Sequence, residues 1–121
     1  MADSELVEAY YRYQSTQTED DSWAWDAVNV HGFDRPLDKW AQILLLLAAA
    51  PDEFQIGLIG AGPLEDLVRL HSGSVDELIA KEAVTNGRLQ VALGHVWRGG
   101  PPASASEVLL RQLLGAVDRP R

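Results

Sequence analysis

The sequence predicts an all-α protein of seven or eight short helices, paired as antiparallel α-hairpins. Three observations lead there. Apolar residues recur three and four apart in one stretch after another, the spacing of a helix face. No stretch alternates apolar and polar residues in the way a half-buried strand does. Helix punctuation is dense: Pro36 and Pro63 stand at first helical positions, and Ser74–Glu77 and Ser104–Glu107 have capping-box spacing. The hairpins suit either a HEAT-like stack or a compact bundle. No sequence repeat accompanies them, so the stack rests on helix lengths alone.

The elements follow in order. A first helix is expected at about 4–15, on Leu6, Tyr10 and Tyr13 with Val7 and Tyr11. Thr18 is an N-cap candidate, and Glu19, Asp20 and Asp21 suit the positive end of a second helix, at about 19–31, which Gly32 ends. Pro36 opens a third, at about 36–49, apolar on nearly all sides and therefore expected to be buried on nearly all sides; Pro51 stops it. A short helix at about 52–59 ends at Gly60-Ala61-Gly62, read as a tight turn that brings two helices close. Pro63 restarts the chain at about 63–71. Two more helices follow at about 75–85, closed by Asn86-Gly87, and at about 87–96. After the break at Gly99-Gly100-Pro101-Pro102, Val108, Leu109, Leu113 and Val117 mark the last, at about 105–117; the tail 118–121 is expected to fray.

The chain of 121 residues is 46% hydrophobic and carries four Trp, enough for one domain over 1–121 whose core needs no metal or disulfide. It has no cysteine, which excludes disulfides, zinc–thiolate sites and a thiol nucleophile. Its start, Met1-Ala2-Asp3-Ser4-Glu5, is acidic where a secretory signal is basic, and its longest apolar run, Ile43 to Pro51, is about half a membrane span. A cytoplasmic protein is the expectation. The formal net charge is −8, and residues 1–35 hold eight of the acids against two bases. Such a field repels nucleic acid and anionic membrane and favours a basic protein partner.

No catalytic constellation is visible. His31, His71 and His95 are isolated, and no two stand at the spacing that places two metal ligands on one helical face. HExxH, GxSxG and Walker A patterns are missing, so neither a metal nor a cofactor is implied. The paired acids Glu19-Asp20-Asp21, Asp52-Glu53, Glu65-Asp66 and Asp76-Glu77 all fall in expected first helical turns, where the helix dipole explains them. Gly60-Ala61-Gly62-Pro63 precedes a helix as a phosphate loop does, but Glu65 and Asp66 would repel an anion and no Lys stands nearby. Trp40 and Trp97 fall in apolar patterns and belong to the core. Trp23 and Trp25 cannot face the same way on one helix, so one should be partly exposed beside Asp20, Asp21 and Asp26. An exposed aromatic ringed by acids is the expected anchor for a basic partner. Arg98 closes a helix and can reach Glu65 or Asp66.

Three stretches together resemble a bacterial family of small proteins known only as a domain of unknown function: Ala24-Trp25-Asp26-Ala27-Val28, Gly60 through Leu67 (GAGPLEDL), and Ala92 through Gly99 (ALGHVWRG). The resemblance covers about 23–99. It implies a shared helical scaffold and no reaction. It singles out Gly62, Pro63, Glu65, Asp66, Trp97 and Arg98 as either a fold-locking cluster or a shared surface. The leading expectation is a non-enzymatic, acidic immunity or antitoxin-type inhibitor that docks on a basic enzyme through Trp23, Trp25, Asp20, Asp21 and Asp26. A helical adaptor for a protein or peptide is the alternative. An enzyme, with a site assembled from Glu65, Asp66, His95 and Arg98, is the least supported.

Overall fold

The computed structural model describes residues 3–71 and 73–96. Every regular element among them is helical: α1 (Asp3–Thr16), a 3₁₀ turn (Glu19–Asp21) running into α2 (Ser22–Asn29), α3 (Pro36–Ala49), α4 (Glu53–Ile59), a π-helical segment (Gly60–Leu64), α5 (Glu65–His71), α6 (Asp76–Ala83) and α7 (Gly87–Leu93). The expected helix over 105–117, the tail 118–121, and Trp97 and Arg98 lie outside the described residues.

The 14-residue α3 organises the bundle, with Pro36 in its first turn. Its core side is Trp40, Ile43, Leu46 and Leu47, continued by Ala50. Against these lie α1, α4, α5 and α7. α7, the last described helix, folds back on α3 and α4, so the described residues form a compact bundle. In a solenoid each repeat would meet only its neighbours. The expectation that α3 is buried on nearly all sides is corrected: among the described residues its neighbours occupy one side, and Leu37 and Leu45 are 63% and 41% exposed. α1 adds Leu6, Ala9 and Tyr10 to the same core, and α2 adds Ala24 and Val28.

Side chains from other helices close the C-terminal end of α3, which lacks a glycine cap. Tyr11 Oη donates to the Leu46 carbonyl at 2.6 Å, and Arg88 Nη1 donates to the Leu47 and Ala50 carbonyls at 2.9 and 2.8 Å. The end of α3 is thereby tied to α1 and α7, and a cation stands at its negative pole.

The turn expected at Gly60-Ala61-Gly62 does not exist. The chain runs from α4 into α5 without leaving a helical path, through one wider π turn. Pro63 has no N–H to donate to the Ile59 carbonyl, and its ring would strike that carbonyl in a regular α-helix. The π turn relieves this conflict. Gly60 is needed for space, since its backbone is ordinary helix (φ −63°). A Cβ on it would lie 2.0 Å from the Ala92 carbonyl oxygen of α7, which crosses there.

Two caps also differ from expectation. Asn86 does not end α6 but begins α7, its side chain accepting from the Leu89 amide at 3.1 Å. The Ser74–Glu77 capping box is not formed. Asp76, buried at the start of α6, instead accepts from the Gly73 amide at 3.3 Å. Asp52 caps α4 through the Gln55 amide at 2.9 Å, in keeping with the helix-dipole account of its acidic pair.

Candidate functional site

The predicted partner face is built on α2, a helix of only two turns. It anchors itself through Ala24 and Val28, both fully buried, which lie one turn apart on one side. Trp23 and Trp25 flank that seam about 200° apart. Both are exposed, at 37% and 39%, where sequence reasoning expected one. A helix so short, docked by two small side chains, leaves room for an indole on either flank. Asp26 and Asp20 are exposed beside them, and Val30, 55% exposed, extends the Trp23 side.

Asp21 is not part of this face. The 3₁₀ turn points it inward, where it accepts from both Nε and Nη2 of Arg12 on α1, each at 2.8 Å. This bidentate pair ties the start of α2 to α1. The hydrogen bonds from Arg12 hold the Asp21 carboxyl below its ordinary value. The role expected of Asp21 in docking is thus corrected to a fold-holding one, because the nearest cation lies behind the turn and not in front of it.

Sequence reasoning missed the group that holds the other end of α2. Lys39 of α3 is buried, at 2% exposure. Its Nζ donates to the Ala27 and Val28 carbonyls at 2.9 and 3.0 Å and to Gln42 Oε1 at 2.8 Å, which uses all three of its donors. The ammonium also stands 4.5 Å from the centre of the Phe33 ring. It therefore caps the negative end of α2 from outside the helix. Burial draws its pKa down to about 8. The missed signal was positional: 39, 43, 46 and 50 share one helical face, so Lys39 lies on the core side of α3.

The second cluster falls into two parts. Glu65 accepts from Arg69 at 2.6 Å, and Asp66 lies 3.9 Å from the same guanidinium, both within α5. Pro63 is buried in the π turn, and a Cβ on Gly62 would lie 3.0 Å from Asn29 Oδ1 of α2. His95 stands over Gly57, where a Cβ would lie 3.0 Å from its Nε2. The structure thus brings the three resembling stretches together: the π turn touches α2 on one side and α7 on the other. Close packing accounts for those glycines. Of the other histidines, His31 is exposed and His71 Nε2 hydrogen-bonds the Phe33 carbonyl, tying α5 to the loop before α3.

No group of three His, Asp or Glu among the described residues is placed to hold a metal ion, and no helix among them is long and apolar enough to cross a membrane.

The fold and this surface define a class: a small helical bundle with an acidic, tryptophan-bearing helix on its outside. A family model matches residues 12–112, and the chain belongs to that family, a family of unknown function (DUF6869). No curated protein and no solved structure matches the chain.

Proposed function

We propose that this protein is a non-enzymatic binding module that docks on a basic protein partner, in the manner of an immunity or antitoxin-type inhibitor, and acts in the cytoplasm. One observation carries the reading: two tryptophans, each more than a third exposed, stand on a two-turn helix beside the free carboxylates Asp20 and Asp26. Exposed indoles supply large contact area at small entropic cost, and surrounding carboxylates select a basic surface and speed encounter. The net charge of −8 adds a long-range field of the same sign. The rigid ties at both ends of α2, through Arg12–Asp21 and Lys39, pre-organise the face and lower the cost of ordering it on binding.

The test is capture of partners from the cells that make the protein, using wild type, Trp23→Ala, Trp25→Ala and Asp26→Lys side by side, followed by association kinetics on the recovered partner. A basic partner is expected. Either Trp→Ala change should weaken it by about tenfold or more, and Asp26→Lys should slow association most at low salt. A partner retained equally by all four proteins would sink this reading, and one whose on-rate ignores salt would remove its electrostatic half.

A further inference from the structure

The outer side of α2 has the profile of a ridge. A step of about 100° per residue sets Trp25, Ser22, Asp26, Val30 and Trp23 in that order around it, an arc of about 160° with an indole at each edge. Asp26 stands on the crest, opposite the buried seam of Ala24 and Val28. Two polar side chains of this helix are turned back onto the backbone: Ser22 Oγ donates to the Glu19 carbonyl at 2.9 Å, and Asn29 Nδ2 to the Trp25 carbonyl at 3.2 Å. Asp26 is exposed, and no side-chain hydrogen bond or ion pair engages it among the described residues. Arg12–Asp21 and Lys39 fix the two ends, so the ridge is rigid.

We infer that the basic partner receives α2 in a groove about one helix wide, with an indole against each wall and a lysine or arginine on the floor facing Asp26. This inference rests on the binding reading above and adds the shape and lining of the partner's site. Geometry requires a groove, because a flat surface meets only about 100° of a helix and cannot reach both indoles. A helix with its side chains is about 10–12 Å across, which sets the width. Charge selects the floor. An apolar groove, the usual seat of an amphipathic helix, would strip water from Asp26 and leave its carboxylate unpaired. Residues 1–35 hold eight acids against two bases, and one of those bases, Arg12, is already engaged by Asp21. The exposed Glu19 and Asp20 continue the acidic line at the head of the ridge.

Site-specific photo-cross-linking of the full-length protein, in the cells that make it, tests this. The cross-linker p-benzoylphenylalanine replaces Trp23, Trp25 or Val30, and, as a control on α4, the 71% exposed Phe54. The Val30 variant leaves both indoles in place. Unfolding midpoints equal to wild type show that each variant folds. Trp23 and Trp25 should each cross-link to one and the same basic protein, at two separate segments flanking a Lys- or Arg-bearing groove. Val30 should reach that protein too, and Phe54 should not. Raising salt from about 0.1 M to about 1 M, which shortens the screening length from about 10 Å to about 3 Å, should lower the yield at all three positions. Cross-links from one indole position alone, or from Val30 alone, overturn the groove and leave the binding reading standing. A yield that ignores salt overturns the basic floor. Cross-links to an acidic protein, to a second copy or to the chain itself, equal labelling from Phe54, or none from any position overturn both.

Discussion

A single lysine illustrates how much one side chain can hold. Lys39 carries the last carbonyls of α2 on its ammonium, so removing it leaves buried acceptors with nothing to replace water. Lys39→Met is expected to lower stability by about 1–3 kcal/mol in urea unfolding. Its titration has a defined sign. Burial lowers the folded pKa to about 8 from 10.5, so between those values the unfolded chain binds the extra proton. Stability should therefore rise with pH above about 8. The tyrosines oppose this at higher pH. Burial pushes Tyr10 up to about 12, with a smaller opposing hydrogen bond from Asn29, and raises Tyr11 further, mainly by burial and then by the neighbouring Tyr10. Above pH 10.0 the unfolded phenols ionise first and stability falls. Urea midpoints across pH 7 to 11 should trace a maximum near about pH 10, and Lys39→Met should remove the rising limb while leaving the fall.

At the scale of elements, two glycines in helices make a matched contrast. Gly60 carries α7 on its Cα, and Gly60→Ala drives a methyl into the Ala92 carbonyl. A loss of about 3 kcal/mol or more is expected, because backbone must move. Gly87, the first residue of α7, has nothing within 4 Å of its missing Cβ. Gly87→Ala should raise stability by about 0.4–1 kcal/mol by narrowing the unfolded ensemble. Thermal or urea unfolding of the two variants checks both signs, and a similar response from both would remove the crossing as the reason for Gly60.

The same pair shows what the sequence could and could not convey. Helix positions were legible wherever apolar spacing and Pro36 coincided, and α3 and α4 fall at the expected residues. Gly60-Ala61-Gly62 misled because glycine serves two unrelated needs, a left-handed turn and a close crossing, and the residues alone do not separate them. Asn86 misled in the same way, being suited to either end of a helix. An exposed indole was legible at Trp23 or Trp25, but the exposure of both was not, since it depends on α2 docking through only Ala24 and Val28. The inward direction of Asp21 was not, since it depends on where α1 places Arg12.

For the molecule as a whole, charge sets the response to conditions. With net −8, the native state repels itself, and raising salt from about 10 mM to about 100 mM shortens the screening length from about 30 Å to about 10 Å. The unfolding midpoint should rise over that range at neutral pH. If it falls instead, local ion pairs outweigh the net repulsion. Acid should act through Asp21. Its stabilising contribution is complete above its ordinary pKa of 3.8 and disappears as pH drops through its lower folded value. Asp21→Asn should flatten that acid limb.

The π turn also sets the phase of the bundle. It lets the chain pass through Gly60–Leu64 with wider spacing than an α-helix, and α5 inherits its rotational setting from that segment. Deleting one residue there, for example the exposed Ala61, turns everything downstream by about 100° about the helix axis. Each downstream residue would take its predecessor's place, so Leu67 would leave the core for the half-buried place of Asp66, and the charged Glu65 and Arg69 would enter it in the places of Leu64 and Val68. Relatives of this chain should therefore tolerate changes of residue type at position 61 far better than changes of length between 60 and 64.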